Sequence, residues 1–231
     1  MKRPGLHLVV IAATLAMSQP SLAQAPRTAP TNSAALETVL LRAGVYGIFG
    51  AGSNIVMQVG EDGIVLVDSG SAAMADQVLA EVRKVSKEPI RLIINTSADG
   101  DHIGGNERIA RQGARMDPRS VEKGSEVLAH EDVLNRVSAP TGQQSAFPVA
   151  SWPTDTYISR IKSMYVNDEG IQVIHYPSAH SDGDSVVFFR RADVIVTGDI
   201  LDLRHFPVIE DRKSTRLNSS HVSESRMPSS A

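Results

Sequence analysis

The sequence predicts an α/β (α+β) domain in which stacked sheets outweigh helices. Three observations carry this. Short apolar runs of strand length recur between turn residues, at 44–49, 54–59, 64–67, 90–94, 171–175, 185–189 and 194–197. One stretch, 73–85, instead places Met74, Val78, Leu79, Val82 and Val85 at helical spacing. Some strands follow each other as hairpins and others are separated by helix, the alternation of a mixed sheet architecture.

The elements come in this order. Gly50-Ala51-Gly52-Ser53 turns the first pair of strands, and Glu61-Asp62-Gly63 makes a second tight turn, where glycine tolerates positive φ. Ile64 to Val67 is apolar without alternation, which suits a strand buried on both faces, and it ends at Asp68. Pro89 stops the 73–85 helix, and Ile90 to Ile94 is a second buried strand, ending at Asn95-Thr96. Residues 121–137 read as containing helix, broken by Ala139-Pro140-Thr141-Gly142, and 148–156 read as a loop carrying Trp152. Arg190-Arg191-Ala192-Asp193 joins the last two strands.

The two ends read differently from the middle. Lys2 and Arg3, an apolar stretch from Leu6 to Met17, and Ala23-Gln24-Ala25 form the charged, apolar and small-x-small regions of a secretory signal, residues 1–25. The alternative is an uncleaved anchor, but the run is shorter than the roughly 20 residues a spanning helix needs. Residues 26–43 then read as leader or linker, and 44–210 as the domain. From Asp211 the chain loses all apolar periodicity. DRKSTRLNSSH and SRMPSSA are what a common short-read sequencing adapter encodes, with Val222-Ser223-Glu224 in the place of its index. Residues 211–231 are therefore expected to be a non-native tail.

Setting both ends aside leaves 17 basic and 24 acidic residues, a net charge of −7 against −3 for the whole sequence. That excludes nucleic acid and anionic membrane as expected partners, since both need basic patches. A small-molecule substrate is expected instead. With no cysteine, disulfides, thiolate metal sites and thiol nucleophiles are excluded. A metal here must be held by imidazole and carboxylate. The signal implies a periplasmic or secreted protein with no stable membrane anchor after cleavage.

Three polar clusters stand at strand ends: 95–106, 177–185, and Thr197-Gly198-Asp199. The first sets Asp99, Asp101 and His102 within four residues. Adjacent carboxylates repel unless a cation neutralises them, and carboxylate plus imidazole is an ordinary divalent-metal ligand set. The alternative is a solvated Asp-Gly-Asp turn with Asp101 capping a helix. By themselves, His180 reads as a structural histidine and Asp199 as a turn residue.

Together, in this order, the clusters resemble the metallo-β-lactamase superfamily over roughly residues 44–210. Val67-Asp68-Ser69-Gly70 resembles its early Asp-x-Gly strand end. Asn95 to Asn106 resembles its Thr-His-x-His-x-Asp-His-x-Gly-Gly-Asn signature, Ala179 to Ser185 its second ligand loop, and Gly198-Asp199 its bridging aspartate. The resemblance implies a four-layer αββα sandwich with metal at one edge between the sheets. Its last histidine and further elements are expected beyond Glu210, so the sandwich is expected to be incomplete at the C-terminus, with an aggregation-prone sheet edge.

The resemblance also implies the ligands: Asp101 and His102 for the second metal, His180 for the first, and Asp199 between them. Ser97 and Asp99 stand where the family has the two histidines of the first metal. Zinc is what the family implies. A carboxylate in place of imidazoles makes the first site harder, which favours Mn or Fe or leaves one ion rather than two. The implied chemistry is hydrolysis by a metal-activated water, with Asp101 holding the metal and orienting that water as the catalytic residue. Ester, thioester or lactone substrates rank above β-lactams because the paired histidines are missing. A binding homologue without turnover and a single-iron oxygenase are the alternatives. Asp68 reads as a hydrogen-bond partner of a ligand loop or as a strand-end turn residue. Asp182 and Asp184 read as turn formers. His130, His175 and His205 read as surface or packing histidines.

Overall fold

The computed structural model describes residues 35–42, 44–138 and 144–201. The expected signal at 1–25, His205 and the 211–231 tail lie outside these residues. The first sheet has seven strands in sequence order: β1 (Glu37–Arg42), β2 (Val45–Ala51), β3 (Ser53–Gly60), β4 (Gly63–Val67), β5 (Ile90–Ile94), β6 (Glu126–His130) and β7 (Asp155–Tyr157). β1 to β4 are antiparallel hairpin neighbours; β4 to β7 run parallel. The second sheet is an antiparallel meander of β8 (Ile161–Val166), β9 (Glu169–His175), β10 (Ser185–Phe189) and β11 (Val194–Val196), in the order β11-β10-β9-β8.

Among the described residues, four α-helices serve the first sheet: α1 (Ala75–Val85), α2 (Gly100–Ile103), α3 (Asn106–Ala110) and α4 (Glu131–Val137). α1 is the expected helix, entered through a 3₁₀ turn at Ala72–Met74. It buries Ala75, Val78 and Val82 and makes the crossover that parallel β4 and β5 require.

The alternation of β4 decides the layering. Ile64 and Leu66 face α1, with Ile48, Ile55, Met57, Ile93 and Ile109. Val65 and Val67 face the second sheet, where Leu92, Ile94, Ile171, Val173, Val187 and Phe189 meet them. Burial on both faces explains the unbroken apolar run, as expected for a central strand. The described residues thus form helix, sheet and sheet layers of an α/β sandwich.

Four strands among the described residues, β1, β6, β7 and β8, go beyond the expectations from sequence. β1 lies inside the 26–43 stretch read as leader and pairs with β2. Its burial pattern is mostly exposed, so it carries little of the apolar signal that marks a strand. The helix expected within 121–137 is α4 at 131–137, and the same stretch also holds a strand, β6 at 126–130. The buried Val127, Leu128 and Ala129 run straight into the apolar positions of α4, so the two periods merge in sequence. β7 begins inside the expected 148–156 loop and ends one residue beyond it, at Tyr157. β8 alternates exposed and half-buried positions at the sheet edge, and the sequence reading contains no strand there.

Candidate metal centre

The site is built at the carboxyl ends of β4, β5 and β11 and in the loop after β9. β4 ends on Asp68, fully buried and at φ +65, a left-handed conformation that Asp tolerates. Asp68 Oδ1 accepts the Thr96 backbone N–H at 2.8 Å. Asp68 Oδ2 accepts the Thr96 hydroxyl at 2.7 Å and faces Nδ1 of His102 at 2.9 Å. One carboxylate therefore ties the loop after β5 to the imidazole of α2. The carbonyl of His102 accepts from the backbone N–H and hydroxyl of Ser69 at 2.8 and 2.9 Å. Asn95 and Asn106 exchange side-chain amide bonds beneath it. Asp68 is thus a hydrogen-bond partner of the ligand loop, one of its two expected roles. Thr96 opens the signature stretch, but its bond to Asp68 is not readable from the sequence.

Nε2 of His102 points the other way and lies 3.0 Å from Oδ2 of Asp199. Burial works against charge on His102, but Asp68 and Asp199 on its two nitrogens outweigh it and push the imidazole up to about 11. Asp199 follows Gly198, which sits at φ +52; a Cβ there would stand 2.5 Å from the Thr96 hydroxyl oxygen. Glycine lets the Asp199 backbone pass over Thr96, which explains the Gly-Asp pair.

Asp99 caps α2 from an extended backbone, φ −77 and ψ 151. Its side chain makes no cap bond. It accepts the Ser97 hydroxyl at 2.8 Å on Oδ2, and the same oxygen lies 3.4 Å from Nε2 of His180. His180 rides on the loop between β9 and β10. Asp184 shapes that loop by accepting the backbone N–H and the hydroxyl of Ser181, as expected of a turn former. Ser185 N–H donates to the Thr96 carbonyl at 2.8 Å, fastening the loop's end to the loop after β5.

The structure thus brings Asp99, His180 and Asp199 together, with one ligand atom of each within 4.8 Å of the other two, and adds His102 through Asp199. Asp101 is not in that trio. Its carbonyl accepts the Ser53 hydroxyl at 2.6 Å, and its Cβ lies against Gly52 at φ +106, where any side chain would collide with it at 2.8 Å. The donor set fits a divalent ion. Carboxylates and imidazoles from three segments converge, all half-buried except the buried His102, and like charges held together favour a cation between them.

A family model of the metallo-β-lactamase superfamily matches residues 48–226. This chain belongs to the metallo-β-lactamase superfamily. The match extends past Glu210 and so includes part of the 211–231 segment read above as adapter. Among solved structures, the chain is similar to a metallo-β-lactamase from Pontibacter korlensis, at 18% identity and TM-score 0.58, covering 74% of each chain. It is also similar to a subclass B3 metallo-β-lactamase of Bradyrhizobium japonicum, at 21% identity and TM-score 0.54, covering 68% of this chain and 58% of that one. Among curated proteins it is similar to a linear primary-alkylsulfatase of Pseudomonas sp., 24% identical over 185 residues. The aligned region is 67% of this chain, and the chain spans 34% of that relative's length. The sandwich and its layer order agree with the superfamily fold.

Proposed function

We propose that this chain is an exported metal-dependent hydrolase acting on an ester, thioester or lactone. The observation that carries the reading is the convergence of Asp99, His180 and Asp199, with His102 3.0 Å from Asp199. A divalent ion bound there supplies a Lewis acid and brings the pKa of a water toward about 7. Asp199 stands between the His102 and the Asp99–His180 sides and is the residue placed to serve both. Asp68 holds the His102 ring and fixes which nitrogen faces the centre. Asp101 is assigned the orientation of the attacking water and a share of the metal. Zinc is the proposed ion by family, with Mn or Fe favoured to the extent that Asp99 hardens the first site. The leader at 1–25 supports export to the periplasm or medium.

The alkylsulfatase relative adds sulfate esters to the substrates worth testing. A binding role without turnover is the second reading, favoured by the Ser97 hydroxyl and Asp99 carboxylate where the family places two imidazoles. Purified full chain loaded with Zn²⁺, Mn²⁺ or Fe²⁺ should be assayed on p-nitrophenyl acetate, an acyl thioester, a γ-lactone, a β-lactam and an alkyl sulfate. Metal-dependent turnover of one of the first three, lost in Asp199→Asn, supports the proposal. Turnover confined to the β-lactam or the sulfate overturns the substrate class. No turnover with any ion moves the binding role to the front.

A further inference from the structure

His130, His175 and Asp132 play no part in the centre above, yet they form a second cluster of ligating side chains. His130 closes β6, Asp132 lies in the first turn of α4, and His175 closes β9, so the cluster joins the two sheets. One ligand atom of each lies within 4.8 Å of the others. Nδ1 of His130 is 3.2 Å, and Nε2 of His175 3.7 Å, from the same Oδ2 of Asp132. The two imidazole side chains are only 7% and 9% exposed, whereas the carboxylate is 39% exposed. The set is therefore inward, with one open side through which an ion can enter.

We propose that His130, Asp132 and His175 form a second binding site for a transition-metal dication of the zinc type, pinning β6 and α4 to β9. Two imidazoles and one carboxylate suit Zn, Ni, Cu or Fe rather than Mg or Ca. Three protein ligands with an open position is a familiar zinc arrangement. The two sites share no ligand.

The local chemistry agrees. Burial and the neighbouring His175 hold His130 below the ordinary imidazole range, opposed in part by Asp132 and the Ile158 backbone. The neutral ring is the form a metal needs. The rings lie flat on each other, centroids 3.4 Å apart and planes at 11°, with Tyr157 edge-on to His130 at 5.1 Å. Two stacked imidazolium ions would repel, so a single dication shared with Asp132 is the better way to place positive charge there.

Binding exchanges two existing contacts. Nδ1 of His130 gives up the backbone N–H of Asp132 at 3.2 Å. Nε2 of His175 gives up the Asp182 carbonyl at 2.7 Å, its proton passing to Nδ1 of the same ring. The rings must also tilt apart, since an ion bound in the plane of both cannot sit between parallel faces. That couples the second site to the loop carrying His180, because Asp182 belongs to that loop.

The test is a titration of metal-stripped full chain with Zn²⁺ by calorimetry and with Co²⁺ by visible absorption. The His180→Gln protein removes an imidazole of the first centre and should still take up one equivalent, with a Co²⁺ band. Adding His175→Gln should abolish that equivalent, and adding Asp132→Asn should weaken it at least ~10-fold. Asp132 is half-buried with its carboxylate open to solvent on one side, so the isosteric Asp132→Asn should leave the fold intact, as circular dichroism checks, even if the histidine change does not. The proposal is overturned if His180→Gln binds no ion, or if Asp132→Asn on that background leaves its affinity unchanged.

Discussion

Ser97 donates its hydroxyl to Oδ2 of Asp99 at 2.8 Å and accepts the Asp99 backbone N–H at 3.2 Å. The hydroxyl is turned toward the carboxylate, so it orients a ligand rather than serving as one. Ser97→Ala should therefore weaken binding of the first ion by ~10–100-fold, the usual effect of removing a group that orients a metal ligand. Competition against a chromogenic chelator reads this directly. An unchanged affinity would mean that Asp99 needs no such support.

Asp68 carries the heaviest electrostatic demand, because it is fully buried and faces His102. Asp68→Asn keeps the shape and tolerates the left-handed backbone, and it removes the charge and turns one of the two accepting oxygens into a donor. Breaking a buried pair by neutralising one partner costs about 3–5 kcal/mol. The cost should depend on pH in the metal-free protein. His102 is raised from 6.5 to about 11, so its contribution is complete below pH 6.5 and is lost as pH rises through about 11. Denaturant melts of wild type and Asp68→Asn should thus differ most near pH 6 and converge toward pH 11. A gap that widens with pH would contradict the pairing.

Gly198→Ala should damage the centre without touching a donor. The new Cβ would meet the Thr96 hydroxyl oxygen at 2.5 Å, and the backbone at φ +52 disfavours it. Strain of this kind costs ~1–3 kcal/mol. We expect a lower melting temperature together with weaker metal binding, since Thr96 supports Asp68 and the next residue is Asp199. Loss of stability with full metal affinity would separate the turn from the site.

Glu126 offers a control away from the metal. Burial, and then Asp155, raise its carboxyl above the usual range. A carboxyl raised on folding stabilises the protein while protonated, and that contribution is lost as pH climbs through its folded value. Glu126→Gln should raise the melting temperature at pH 7, and the gain should vanish below about pH 4. A gain that instead grows in acid would refute this.

Much of the fold is legible in the sequence because β4 and β5 are apolar on both faces and α1 carries a clean helical period between them. β6 is not, because Val127, Leu128 and Ala129 abut Val133 and Val137 of α4, and period alone cannot divide a short buried strand from the helix it enters. β1 and β8 sit at sheet edges, where exposure removes the apolar signal. At the site, Asp99 and His102 stand out as neighbouring carboxylate and imidazole, whereas His180 and Asp199 are singled out only by the resemblance to the superfamily. Thr96 is legible as the start of the signature but its pairing with Asp68 is not, since a threonine at a strand end says nothing of the carboxylate it will meet. Nor is the pairing of His130 with His175, which depends on how the two sheets face each other.

The central claim is that Asp99, His180 and Asp199, with His102 beside them, hold a divalent ion. The most direct measurement is the zinc affinity and stoichiometry of metal-stripped wild-type chain beside Asp99→Asn, His180→Gln and Asp199→Asn. The account predicts one equivalent lost, or weakened at least ~100-fold, in each variant with the fold intact by circular dichroism. Equal stoichiometry and affinity in all four proteins would contradict it.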